Sequence, residues 1–327
     1  MIKSAFPLGD KELKIGILGM TEGNAHPFSW SAMYNGFHLD EMHKWCDELY
    51  PTIPNYLSKQ PPETIGVPGA HITHVCFTGY EERAMAENCA RASNIPNVCD
   101  KPEDMIGQVD AVICATDIGS EHVERCKAFI EAGVPMFIDK PMVDNEKDLQ
   151  WFVKKHDEGA HFISSSSMRY SKAFVPYYQG HDELGKLLYI LQPMPKKWET
   201  YGIHALEAVY PFLGKGFVSI QNTGTKEFNF AHIIHESGCN VNIPMCYGLH
   251  SSGTMLCGSE GSVVLSDSDS YRSFKTQMDN FVHYLRTGEE PFPFEQTIEL
   301  MKLVIGGLMS REQGGRKVLL SEIHERA

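Results

Sequence analysis

The chain has 327 residues, 42% of them hydrophobic and 22% charged, which fits one large domain or two with separate cores and excludes a disordered polypeptide. With 42 acidic against 29 basic residues, a net charge of −13 and no cluster of Lys and Arg, it makes a poor partner for nucleic acid or an anionic membrane surface. Nine cysteines without a C-x-x-C pair exclude a disulfide framework or zinc site and read as scattered thiols of a reducing, cytoplasmic environment. The start, MIKSAFPLGDKE, lacks the apolar core of a signal peptide, and no window approaches the ~20 apolar residues of a membrane span.

From residue 13 to about 167, short β-rich runs (LKIGILG, ITHVCF, DAVICAT, VPMFID, HFISSS) alternate with helical patterns (EERAMAENCARAS, EDMIGQV, HVERCKAFIEAG, NEKDLQWFVKKHDEG). Continuous apolar strands separated by helices predict an α/β unit, a doubly wound parallel sheet of Rossmann type. Residues 36–70, with Pro51, Pro54, Pro61, Pro62 and Pro68, read as an irregular excursion longer than a βαβ unit needs. After residue 170 come LLYILQPM, a helical YGIHALEAVYPFLG, and the runs FVSIQNT, EFNFAHIIH, NVNIPMCYGL and GSVVLSD. Consecutive alternating runs predict an α+β domain with a large, mostly antiparallel sheet. Two helical segments, YRSFKTQMDNFVHYLRTG and FEQTIELMKLVIGGLMS, are expected to pack on a sheet. The expected division is a parallel-sheet domain over 1–168 and an α+β domain over 169–327.

In such a sheet the loop after the first strand supplies backbone N–H groups and a helix N-terminus for phosphate. Here it reads KIGILGMTEGNAHPFSW. Against G-x-G-x-x-G, Gly19 fills the first position, Thr21 the second and Asn24 the third, with Gly23 one residue early. Gly19, Met20, Thr21, Gly23 and Asn24 are the candidate cofactor loop, and a plain strand-to-helix turn is the alternative. The ribose carboxylate expected after the second strand is replaced by Thr78, with Tyr80 and Arg83 nearby. His26, ahead of a Pro27 suited to a helix start, is expected to face the cofactor or the substrate mouth, or to cap the helix. Further on, a buried strand delivers Asp139, Lys140 and Pro141 at its carboxyl end, where a lysine is costly unless its charge is used. Met20, Tyr170, Tyr177, Tyr178, Trp198 and Tyr201 are candidates for a sugar-sized pocket, with core packing as the alternative. His71-x-x-His74 and His232-x-x-His235 have metal-compatible spacing but no partner set, so no metal is expected.

Taken together, Gly19, the A-T-x(5)-H pattern of Ala115, Thr116 and His122, AGVPMFIDKP, the Arg169–Tyr170 pair, YGIHALE and the closing FVHYLRTGEEPFPFEQTIE resemble the Gfo/Idh/MocA family, named for glucose-fructose oxidoreductase and inositol dehydrogenase. The resemblance implies a dinucleotide-binding Rossmann domain over 1–168 followed by a substrate-binding and oligomerisation domain over 169–327, NAD as cofactor with NADP as the other option, and oxidation of a sugar, polyol or cyclitol hydroxyl or the reverse reduction. It places Thr116, His122 and Asp139 at the cofactor. Lys140 stands as the lysine shared by nicotinamide and substrate, and His204 as the catalytic histidine. Arg169, Tyr170, Trp198, Thr200 and Glu207 fall on the substrate side. Thr200 replaces the family's aspartate four residues before the histidine, so His204 is expected to be a weaker base, and Glu199 is turned away from it along the helix. An imidazole suits proton abstraction from the hydroxyl, and an ammonium beside the same oxygen suits the developing alkoxide. A homodimer or homotetramer is implied at family level. Two other readings stay open: a non-catalytic sugar or dinucleotide sensor on the same fold, and a redox-neutral enzyme that keeps its NAD bound.

Overall fold

The structure, a computed structural model, describes residues 6–48, 50–79, 82–250, 253–266 and 269–326. Its first half runs β1 (Leu13–Met20), α1 (His26–Asn35), α2 (Leu39–Cys46), α3 (Thr52–Leu57), β2 (Ala70–Gly79), α4 (Glu82–Ala92), β3 (Asn97–Val98), β4 (Ala111–Cys114), α5 (His122–Glu131), β5 (Met136–Ile138), α6 (Glu146–Asp157) and β6 (Phe162–Ile163). The six strands form one parallel sheet in the order β3-β2-β1-β4-β5-β6, so the order reverses between β1 and β4 and a crevice opens at their carboxyl ends.

The period of two along each strand divides the apolar residues between two cores. Val112, Cys114, Met136 and Ile138 face the layer that holds α5 and α6, while Ala111, Ile113 and Phe137 face the layer of α1. The excursion over residues 36–70 separates α1 from β2. It holds α2 and α3, which pack on one another and, respectively, on α4 and α1. Pro54 lies in the first turn of α3, where its missing N–H costs nothing. Conversely, EDMIGQV forms only a 3-10 turn over Pro102–Met105.

The second half adds α7 (Val175–Gln179), β7 (Leu187–Leu191), β8 (Met194–Pro195), α8 (Trp198–Leu213), β9 (Phe217–Asn222), β10 (Phe228–His235), β11 (Asn240–Cys246), β12 (Thr254–Gly258), β13 (Ser262–Leu265), α9 (Ser270–Thr287), α10 (Phe294–Glu312) and β14 (Val318–Leu319). An eight-stranded sheet runs β13-β12-β7-β11-β10-β9-β14, with β8 also on β11; it is mixed, since β11 lies parallel to β7 and β8, and otherwise antiparallel. One face, with Ile190, Ile220, Ile233, Val241, Ile243 and Leu256, is buried with α8 and α10. On strands of the same sheet Val218, Phe228, Phe230, Leu188, Met255 and Val264 are exposed. Helix α9 does not join this sheet. Its Met278, Phe281 and Leu285 complete the α1-side core of the first sheet, where Phe281 meets Phe137 edge-on with ring centroids 5.7 Å apart. No helix among the described residues is long and apolar enough to cross a membrane.

Candidate active site

The loop after β1 closes as a tight turn in which Asn24 N–H donates to Thr21 O at 2.9 Å. Gly19 (φ +83°) lets β1 meet β4: a Cβ there would lie 2.5 Å from Thr116 Cγ2. Gly23 (φ +83°) takes the left-handed corner of the turn with open space around its Cα. The Thr21 hydroxyl is buried at this turn without a hydrogen-bond partner among the described residues, an unmet polar group in the loop that leads to α1. Asn24 is buried and serves the helix start, its Oδ1 accepting from His26 N–H at 3.0 Å. Met20 turns its side chain into the α1-side core. The residues between α1 and β2 reach this loop as well, since Gly23 N–H donates to the Tyr50 hydroxyl at 3.2 Å.

Two carboxylates converge beyond β4 and β5. Asp139, fully buried, accepts from His26 Nδ1 at 2.7 Å, Asn24 Nδ2 at 3.3 Å and Lys140 N–H at 2.8 Å. Burial alone would raise its pKa, but His26 and Lys140 outweigh that and hold it at about 2. His26 stacks on Trp30 with ring centroids 4.4 Å apart and meets Phe274 of α9 at 5.2 Å. Lys140 is 3% exposed, and its Nζ lies 3.7 Å from Asp117 Oδ2. Desolvation opposes its charge, yet Asp139, Asp117 and Tyr201 prevail and raise its pKa, so the ammonium persists. The Lys140–Pro141 peptide is cis.

Helix α8 brings the opposite wall. Tyr201 has Lys140 Nζ 5.5 Å and Lys196 Nζ 4.2 Å from its ring centre, and its ring meets that of His204 edge-on at 4.8 Å. His204 Nδ1 pairs with Ser166 Oγ at 2.6 Å, and its Nε2 has no hydrogen-bond partner among the described residues. Burial first, then the charges of Lys140 and His26, push its pKa well below the ordinary imidazole value. The partner of this ring nitrogen is thus Ser166, which sequence reasoning missed, and not Thr200. Glu207 accepts from Ser166 N–H at 3.2 Å and from Arg169 Nε, while Arg169 also donates to Gln296 Oε1 at 2.9 Å and stacks on Phe292 at 3.9 Å. Burial pushes the Glu207 carboxyl up, and Arg169 opposes that shift. Tyr170 donates to Ser165 Oγ at 3.5 Å, next to Ser166. Glu199 is committed elsewhere, to Arg311 at 2.5 Å.

Several expected site residues lie apart. Trp198 is a correction: it is fully buried, its indole N–H donates to Val304 O at 2.9 Å, and a Cβ on Gly307 would come within 2.5 Å of its ring, so it anchors α8 to α10 and lines no pocket. Accordingly Trp198→Ala should cost about 3–5 kcal/mol of stability, read by urea unfolding. His122 is also fully buried, with both ring nitrogens on backbone carbonyls, Thr116 O at 2.8 Å and Met142 O at 2.9 Å; it ties the loops after β4 and β5 together and leaves no ring nitrogen for a cofactor. At the end of β2, Thr78 accepts from Arg125, at 2.5 Å on Oγ1, and Arg125 is itself held by Glu121 at 2.7 Å. Arg83 pairs with Glu87 and Asp100, and Tyr80 lies outside the described residues. Tyr177 and Tyr178 pack on the core, the latter against Phe212.

The paired histidines are separate too. His71 pairs with Glu12 and His74 with Thr73, while His232 meets Asn240 and His235 meets Ser237. No group of three or more potential metal ligands occurs among the described residues.

Residues 62–162 match the model of the Gfo/Idh/MocA oxidoreductase family, NAD-binding Rossmann fold; the match begins after the altered glycine loop. No curated protein matches this sequence. Among solved structures, the apo scyllo-inositol dehydrogenase of Lactobacillus casei superposes with a TM-score of 0.73 at 13% identity, over 96% of this chain and 100% of that one. Myo-inositol 2-dehydrogenase of Lactobacillus plantarum gives 0.71 at 14%, over 94% and 99%. Myo-inositol dehydrogenase of L. casei, in complex with NAD(H) and myo-inositol, gives 0.71 at 13%, over 94% and 96%.

Proposed function

We infer that this chain, whose residues 62–162 match the Gfo/Idh/MocA oxidoreductase family model, transfers hydride between a nicotinamide cofactor and the CH–OH group of a sugar, polyol or cyclitol. The observation that carries this reading is one juxtaposition: a buried ammonium, Lys140, and a buried histidine disposed to be neutral, His204, both against the Tyr201 ring near the carboxyl ends of the parallel strands. The cyclitol dehydrogenases of similar fold support the substrate class. We assign residues 1–168 to the cofactor and 169–327 to the substrate, with α9 returning to the cofactor half.

The buried unpartnered hydroxyl of Thr21 and the glycine cradle against Thr116 fit a dinucleotide, with Gly19, Thr21, Gly23 and Thr116 holding its central part and Thr78 beside Arg125 its adenine ribose. NAD, when bound, supplies the hydride acceptor. With Nδ1–H donated to Ser166 Oγ, His204 offers the Nε2 lone pair to the hydroxyl proton. Lys140 stabilises the negative charge that develops on that oxygen. Glu207, neutralising Arg169 and accepting from Ser166 N–H, fixes the serine that orients the base. Asp139, gripped by His26 and Asn24, joins the cofactor loop to the lysine. The exposed Phe228, Phe230, Val218 and Met255 of the large sheet support pairing of two copies in solution.

A fluorescence titration with NADH and NADPH tests the cofactor. Saturable binding in roughly the micromolar range, tighter for NADH, is the expected result. An NADH signal that stays linear and unsaturated, with no nucleotide released from the acid-denatured protein, would remove the dinucleotide and leave a sugar sensor.

A further inference from the structure

The wall opposite Lys140 carries a second ammonium that hydride transfer does not use. Lys196 follows β8 and precedes α8 with φ +67°, a left-handed conformation that is strained for a non-glycine residue and persists only where surrounding structure enforces it. Its N–H is pinned to Cys246 O at 3.1 Å, and its Nζ donates to the Tyr201 hydroxyl at 2.7 Å. The neighbouring cations are matched, Lys140 by Asp117, Arg169 by Glu207 and Arg311 by Glu199, and the His26 ring lies against Asp139. Lys196 has no acidic partner within salt-bridge distance among the described residues. Its own sequence neighbour Glu199 points to Arg311.

We propose that Lys196 and the Tyr201 hydroxyl receive a carboxylate of the substrate, which makes the preferred polyol a sugar acid. Because the Tyr201 oxygen accepts from Lys196, its proton is free to donate, and the ammonium retains further N–H groups; these two donors match the two oxygens of one carboxylate. The carboxylate would sit beside the Tyr201 ring whose other neighbours are Lys140 and His204, which leaves the reacting hydroxyl for those two residues.

The proposal rests on the hydride-transfer reading, and its test keeps the two apart. Gluconate, glucitol and glucitol phosphate are compared by calorimetric titration and by kcat/KM with NAD, for the wild type, Lys196→Met and Lys196→Arg. Gluconate should bind and react roughly 10- to 100-fold better than glucitol, Lys196→Met should collapse that ratio through KM, and Lys196→Arg should restore much of it. Equal binding of gluconate and glucitol by the wild type, a ratio unchanged in Lys196→Met, or preference for the phosphate would each overturn the proposal. Gluconate binding that depends on Lys196 without turnover of any of the three would uphold the carboxylate site while counting against hydride transfer. A Lys196→Met protein that fails to fold leaves the decision to the wild-type ratio and to Lys196→Arg.

Discussion

Lys140→Met should lower kcat by about 10³-fold while leaving NADH affinity within a few-fold of the wild type. The ammonium is 3% exposed and lies close to Asp117, and its pKa is raised, so it is a fixed positive charge and not a proton carrier. Such a charge acts most strongly on the oxygen that becomes an alkoxide as hydride leaves, and little on the ground state. Steady-state kinetics with an NADH titration of the same variant separates the two terms. A parallel loss of NADH binding would recast Lys140 as a cofactor anchor.

The second large effect belongs to His204. His204→Asn should reduce kcat by roughly 10²–10⁴-fold and abolish the acidic limb of the kcat/KM profile. The sign follows from the direction of its shift. Burial and the nearby Lys140 and His26 lower the imidazole pKa well below 6.5, so the neutral base dominates at neutral pH. Activity should then be level through neutrality and fall only as pH drops below the ordinary histidine range. With Lys140 shifted upward, no compensating loss is expected between neutrality and pH 10.5. Ser166→Ala provides the companion test, because it removes the hydroxyl partner of Nδ1 while leaving the ring in place. Its profile should change in kcat more than in KM.

The parallel sheet was legible because its strands are apolar on both faces and its helices carry the longer period, signals that survive without tertiary information. Lys140 stood out for a related reason, since a lysine closing a buried strand breaks the local pattern. Ser166 did not, because it is one of four consecutive serines, Ser164–Ser167, and only the approach of α8 selects it. Asp117 and the grip of His26 on Asp139 likewise depend on contacts across more than twenty residues of chain. Trp198 shows the converse: an aromatic beside a polar helix start reads equally as a sugar platform or a core anchor, and the choice is made by Gly307 on α10. Helix α9 was read correctly as a helix, but its return to the first sheet is written in its packing against Phe137 and α1, not in its own periodicity.

The most direct measurement is the fate of deuterium carried on the nicotinamide of NADH when the protein reduces a ketose or keto-acid, read by mass spectrometry of the product. The account predicts one deuterium on the new CH–OH carbon, formed by the wild type and nearly absent with Lys140→Met and His204→Asn. A protein that binds labelled NADH and the sugar, yet leaves every deuterium on the nicotinamide, would contradict hydride transfer and assign this site to sensing.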